Sequence, residues 1–264
     1  MTKQDYDNFS ENYDRFVNWE ARLFLEMPFI EEQLQTIQSA KDQSLRVLDS
    51  ACGTGIHAIA LAEMGYSVSA ADISSEMIKE ARKNVGCAQK DINLKTAGFG
   101  ELAQNFHSTS EPKFDALLCL GNSLPHLLSE NALQAALEDM AACLPPGGLL
   151  LLQNRNFDAV MEEHNRWQGI QSYQENGAEW LFVRFYDFDS DGLITFNIIQ
   201  LHKDLNESWS QDISTTRLFP LKQDILLPLL INAGFGSLSC YGKMGPEAFD
   251  AQKSGNLVVI ASKK

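Results

Sequence analysis

The sequence predicts an α/β fold: a largely parallel sheet covered by helices on both faces, with a small antiparallel β insertion. Three observations predict it. Strand-like and helix-like stretches alternate from residue 45 to 156. Two of the strand candidates, "FDALLCLG" (114–121) and "GLLLLQNRN" (148–156), are apolar enough for strands buried on both faces. Residues 157–217 then break the rhythm with β-rich runs separated by turn signals such as "DSDG".

In chain order, residues 9–38 read as one or two helices forming an N-terminal cap (1–40), with Phe16, Trp19, Leu23 and Leu25 on an apolar face and Ser10 able to cap the start. "LRVLDSA" (45–51) is an apolar strand ending at an acid. "GIHAIALAEMG" (55–65) has helical spacing and a glycine stop, and "YSVSAAD" (66–72) alternates as a strand. "SSEMIKEARKNV" (74–85) is a helix capped by Ser74 or Ser75. A strand is expected at "INLKTAG" (92–98), and a helix at 129–144 stopped by Pro145, Pro146, Gly147 and Gly148. "AEWLFVRFYDFD", "LITFNIIQLHK" and "SWSQDISTTRLF" predict a three-stranded meander within the 157–217 insertion. A helix over "LKQDILLPLLINAGF", with Pro228 inside it, and two closing strands, "GSLSCYGK" and "GNLVVIASKK", complete one domain over 1–264.

Composition narrows the function. The 264 residues are 44% hydrophobic, so a sizeable core can form, and no apolar run is long enough to span a bilayer. A net charge of −14 disfavours a nucleic-acid partner. Five scattered cysteines lack CxxC spacing and five histidines form no HxH or HExxH pair, so free thiols and no metal site are expected. The polar, acidic start is unlike a targeting peptide, which makes the cytoplasm the expected location.

The stretch "VLDSACGTGIHAIALAEMGYSVSAAD" (47–72) carries the chemistry. Gly53, Gly55 and Ala58 fit G-x-G-x-x-A, a nucleotide-type turn in which glycine permits tight geometry and close ligand approach. Asp72, at the end of the second strand, is placed to accept hydrogen bonds from a ribose. Asp49, four residues before Gly53, separates the candidates: a carboxylate there opposes a pyrophosphate and welcomes a ligand carrying an ammonium and a sulfonium. This favours S-adenosylmethionine over NAD, and a nicotinamide-dependent oxidoreductase and a non-catalytic cofactor sensor are the alternatives outside methyl transfer.

With these residues the chain resembles the class I S-adenosylmethionine-dependent methyltransferases. "VLDSACGTG" matches their first motif, Asp72 their second, and "LPPGGLLLL" a later loop and strand. The resemblance implies a Rossmann-like seven-stranded methyltransferase sheet. The family's acid or amide after the third strand is missing from "TAGFGEL", where Phe99 can stack on an adenine or be plain core. "CLGNSLPHL" (119–127) and "QNRNFD" (153–158), each at a central strand end, together with the β-rich insertion, resemble the glycine N-methyltransferase branch. Carried over, Asn122 and Arg155 hold the carboxylate of an amino-acid acceptor, with His126 nearby as pocket wall, hydrogen-bonding partner or acid–base group. Arg22 matches an arginine at the cofactor's methionine carboxylate, and Tyr13 a lid residue. The cofactor set is therefore Tyr13, Arg22, Asp49, Ala51, Gly53, Gly55, Asp72, Met77, Phe99 and Leu120, and the acceptor set Asn122, His126 and Arg155. The expected reaction is methylation of a small molecule, foremost the amine of glycine or a related amino acid, releasing S-adenosylhomocysteine. An O-methyltransferase or a methylase of another amine is the alternative. No residue stands out as an obligatory base, and "NSLPH" lacks the Asn/Asp-Pro-Pro-aromatic signature of base-amine methylation.

Overall fold

The computed structural model describes residues 14–38, 43–106, 113–205 and 207–264. The chain enters along helix α1 (Trp19–Gln38) and then winds through β1 (Arg46–Asp49), α2 (Ile56–Glu63), β2 (Ser67–Asp72), α3 (Ser75–Ala88), β3 (Asn93–Thr96), α4 (Leu102–Phe106), β4 (Ala116–Cys119), α5 (Glu130–Ala142) and β5 (Leu149–Arg155). Strands β1 to β5 are parallel wherever they pair. Helix α6 (Phe157–Glu163) leads into a separate four-stranded antiparallel sheet, β6 (Gln171–Glu175), β7 (Ala178–Phe188), β8 (Ile194–Lys203) and β9 (Ser210–Leu218). Helix α7 (Gln223–Asn232), β10 (Phe235–Tyr241) and β11 (Asn256–Lys263) return to the first sheet, whose order is β10-β11-β5-β4-β1-β2-β3. β11 runs antiparallel to both its neighbours, so this is the expected seven-stranded sheet with one reversed strand.

The core follows from strand alternation. Val47, Leu118 and Leu151 point to one face and meet Ile30 and Leu34 of α1, Leu61 of α2 and Ile78 of α3. Leu48, Leu117, Leu150 and Leu152 point to the other and meet Leu133 and Leu137 of α5 and Leu226 and Leu230 of α7. Because β1 lies between β2 and β4, the connections leave it in opposite directions, which opens a crevice at the strand C-termini. Ser74, not Ser75, caps α3: its hydroxyl accepts the Met77 N–H at 3.1 Å.

Three expectations change. The insertion has four strands, not three; β6 was missed because its residues are mostly polar and exposed. Helix α6 is not legible in the sequence because it is only seven residues long and follows β5 after the single residue Asn156. On α1 the buried residues are Glu26, Phe29, Ile30 and Leu34, while Leu25 is exposed, so the apolar face is rotated from the one expected. Ser10 lies outside the described residues. Cys52, Cys119 and Cys143 are buried and no cysteine is paired. Among the described residues no helix is long and apolar enough to cross a membrane, and no side-chain group could hold a metal ion.

Asn156 joins the end of β5 to the rest of the fold. Its Oδ1 accepts the N–H groups of Asp158 and Ala159, capping α6, while its Nδ2 donates to the carbonyls of Ala251 at 2.9 Å and Ser254 at 2.8 Å. Asn156→Ala should destabilise the protein by roughly 2–3 kcal/mol in chemical denaturation, since it removes a cap and leaves two carbonyls without donors.

Candidate active site

A cavity of about 600 Å³ opens at the C-terminal ends of β1, β2, β4 and β5, roofed by residues 16–19 and α1 on one side and by β7 and β8 on the other. Asp49, Ala51, Gly53, Asp72, Met77, Phe99, Leu120, Asn122, His126, Arg155 and Arg22 all line it. Gly55 stands back from it: its φ of +82° starts α2, and a Cβ there would meet the Ala81 Cβ at 3.2 Å, so glycine lets α2 pack against α3. Tyr13 lies outside the described residues.

At the nucleotide end the two acids differ. Asp72 is partly exposed and orders the turn, its Oδ2 accepting the Gly53 N–H and its Oδ1 the Ser74 N–H, each at 2.9 Å. Asp49 is only 2% exposed. Burial pushes its pKa up to about 6; the His57 charge pulls it down, the nearby Asp72 carboxylate adds to the rise, and the Ala51 N–H and Arg22 partly oppose it. A group raised from 3.8 to about 6 gives its full stability below the lower value and loses it as the pH rises through the higher. At pH 7 the ionised carboxylate therefore costs the ligand-free protein about 3 kcal/mol, which a cation in the cavity offsets.

Arg22 is fixed from below. Its Nε donates to both oxygens of Glu26, at 3.1 and 3.0 Å, and its Nη2 reaches Gln153 Oε1 at 3.4 Å. His57 Nε2 lies 2.7 Å from Glu26 Oε2, and Gln153 Oε1 accepts the Gly121 N–H at 2.9 Å. Burial alone would raise the Glu26 pKa; the hydrogen bond from His57 and the Arg22 charge hold it below its ordinary value. The network ties α1 to the start of α2 and the end of β5. Asp14 adds a strap, accepting Thr54 Oγ1 at 2.6 Å and Trp19 Nε1 at 2.7 Å.

At the other end Asn122 adopts a φ of +67°, a conformation asparagine tolerates. Its Oδ1 accepts the Arg155 backbone N–H at 2.9 Å, which leaves its NH2 to donate. The Arg155 guanidinium makes no hydrogen bond or ion pair among the described residues. Asp158, the nearest acid in sequence, instead accepts the Gln223 N–H at 3.0 Å. His126, in a 3₁₀ turn, is driven down to about 3 by burial and is neutral at physiological pH. Asn154 is 1% exposed, and neither its Oδ1 nor its Nδ2 has a partner among the described residues. Such an orphaned amide on a cavity wall suits a polar ligand.

Sequence reasoning did not single out Glu26, His57, Gln153, Gln168, Arg184 or Tyr186, all but Glu26 of which line the cavity. A signal existed for Arg184: it continues the inward alternation Trp180, Phe182, Tyr186 on β7, where a charge is out of place.

The Asp49→Asn variant keeps an acceptor for the Ala51 N–H but removes the buried charge. It should melt at higher temperature than wild type at pH 7 without ligand, and bind S-adenosylmethionine about tenfold more weakly or worse by calorimetry.

Residues 47–148 match a methyltransferase-domain family model. A glycine/sarcosine N-methyltransferase of Aphanothece halophytica is 32% identical over 236 residues, covering 89% of this chain and 81% of that protein. One from Halorhodospira halochloris is 28% identical over 249 residues, covering 91% and 82%. An S-adenosylmethionine-dependent methyltransferase structure from Clostridium acetobutylicum superposes with a TM-score of 0.74 over 98% of both chains at 16% identity, which shows a shared fold. The chain thus belongs to the glycine/sarcosine N-methyltransferase family within the class I S-adenosylmethionine-dependent methyltransferases.

Proposed function

We propose that this methyltransferase acts on the amine of glycine or a related small amino acid. The carrying observation is Arg155: a guanidinium without a partner among the described residues, on the same cavity wall as Asn122, whose Oδ1 accepts the Arg155 backbone N–H and whose NH2 is left to donate. A guanidinium can hold a carboxylate through two parallel hydrogen bonds, and Asn122 adds a third donor. That geometry suits an amino acid held by its carboxylate with its amine turned inward. The glycine and sarcosine named for the relatives support the same acceptor class.

Asp49, Ala51, Gly53, Asp72, Met77, Phe99, Leu120 and Arg22 would hold S-adenosylmethionine at the other end, Asp49 and Asp72 facing its positive and hydroxyl-bearing parts. Bound there, the cofactor supplies a methyl group already activated on a sulfonium. The protein's own work is positional: it anchors the acceptor, points the amine lone pair at the cofactor end, and keeps water out beneath residues 16–19. Fixing two reactants in this way can contribute roughly 7–11 kcal/mol. His126 is too weak a base to retain the amine's proton and serves as a neutral wall. On this reading the protein works in the cytoplasm on a dissolved small molecule, without nucleic acid or membrane; its net charge of −14 supports that.

Transfer of labelled methyl groups to glycine, sarcosine, dimethylglycine, larger amino acids, phenols and simple carboxylic acids tests the reading. Label should enter the amine of a small amino acid; label confined to oxygen acceptors contradicts it. Arg155→Ala should raise the acceptor KM by about tenfold or more and leave cofactor affinity unchanged. Asp72→Ala should do the reverse, weakening cofactor binding in calorimetry.

A further inference from the structure

The acceptor end contains a second guanidinium. Arg184 lies between Phe182 and Tyr186 on the inward face of β7 and lines the same cavity as Arg155. Its Nη2 donates to the Gly169 carbonyl at 3.4 Å, its guanidinium sits 5.1 Å from the Phe16 ring centre, and its Nε is buried without a partner among the described residues. An arginine facing inward among aromatic side chains is costly unless an anion meets it.

No carboxylate among the described residues does so. Asp187, next but two along β7, is held by Arg166 at 2.6 Å and by Asn197 at 2.8 Å, and Glu175 on β6 is paired with Arg15. The cavity's own acids, Asp49 and Asp72, end β1 and β2, two and three strands from Arg155 on β5, about 10 Å or more at ordinary strand spacing. The remaining groups facing Arg184 are neutral or positive. Burial keeps the Tyr186 phenol protonated and His126 uncharged, Gln168 and the β8 residues Phe196 and Ile198 carry no charge, and Arg155 adds a like charge. Burial first, and that like charge second, push the Arg184 pKa below its ordinary value.

We propose that Arg184 is a second carboxylate-holding residue of the acceptor site, and that Arg184 and Arg155 together make the site bind the amino acid as its anion, with the amine unprotonated. The inference rests on the reading of this end as an amino-acid site. Two positive charges that draw in a carboxylate also repel an ammonium. The zwitterion therefore gives up its ammonium proton to bulk water as it binds, and the amine keeps the lone pair that must attack. This accounts for an acceptor end whose histidine, His126, is too weakly basic to take that proton.

The test compares wild type with R184Q and R184K. Kd for glycine is measured by calorimetry in the presence of S-adenosylhomocysteine, kcat is followed against pH, and melting curves and cofactor Kd report on folding. R184Q should weaken glycine about tenfold or more, move the acid limb of kcat to higher pH by about one unit, and leave cofactor Kd unchanged. R184K, which keeps the charge without the planar fork, should hold the limb near its wild-type position while still weakening glycine. An unmoved limb in a folded R184Q, with or without weaker glycine binding, overturns the proposal. So does an R184K limb that shifts as far as that of R184Q, which is also the deciding result if R184Q fails to fold. If wild type methylates oxygen acceptors but no amino acid, the functional reading itself has failed; wild-type glycine activity with unaltered R184Q and R184K profiles removes only the role of Arg184.

Discussion

A carboxylate almost wholly buried at the floor of the cavity organises this molecule. Asp49 ends β1 at the point where the sheet's connections diverge, and the crevice formed there is what the rest of the active site is built around. Burial and the neighbouring Asp72 make its ionised form unfavourable, so the ligand-free protein holds an electrostatic strain that a positively charged ligand relieves. The same charge opposes a pyrophosphate. On the proposed reading, this one charge is what favours S-adenosylmethionine over a pyrophosphate-bearing cofactor at a glycine turn.

Around this charge the cavity has opposite polarity at its two ends. Asp49 and Asp72 line the end proposed for the cofactor, together with Arg22, whose charge Glu26 balances, while Arg155 and Arg184 line the end proposed for the acceptor. The arrangement depends on parts distant in sequence. Glu26 on α1 holds Arg22, His57 and Gln153 in one buried network, so the N-terminal helix is fixed against both α2 and β5. The separate antiparallel sheet supplies the opposite wall, and its Trp180 and Phe182 pack with Phe16 of the segment that roofs the cavity. The site is closed by elements outside the seven-stranded sheet, which itself supplies the polar strand ends.

Much of this was readable from the chain. β1, β4 and β5 stand out because they are short apolar runs closed by turn residues, and Asp49, Asn122 and Arg155 stand out because they follow directly on such runs. What escaped was of two kinds. β6 is short and mostly exposed, and α6 is only seven residues long with Phe157 alone fully buried, so no apolar period marks them. The Glu26–Gln153 and Arg22–Gln153 contacts join residues 127 and 131 positions apart, and no local pattern reports pairing over such distances. Arg184 belongs to both kinds: its place in the β7 alternation was visible, but the absence of a carboxylate opposite it was not. Asn156, also at a strand end, is by contrast a structural tie between β5, α6 and the segment before β11.

Titration of the Asp49 side-chain carboxyl carbon by NMR, with and without S-adenosylmethionine, tests the central claim most directly. The account predicts a midpoint near pH 6 in the free protein and a clear downward displacement when the cofactor is bound. A midpoint that is the same in both states would show that the buried carboxylate does not sense the cofactor's charge, and would contradict it.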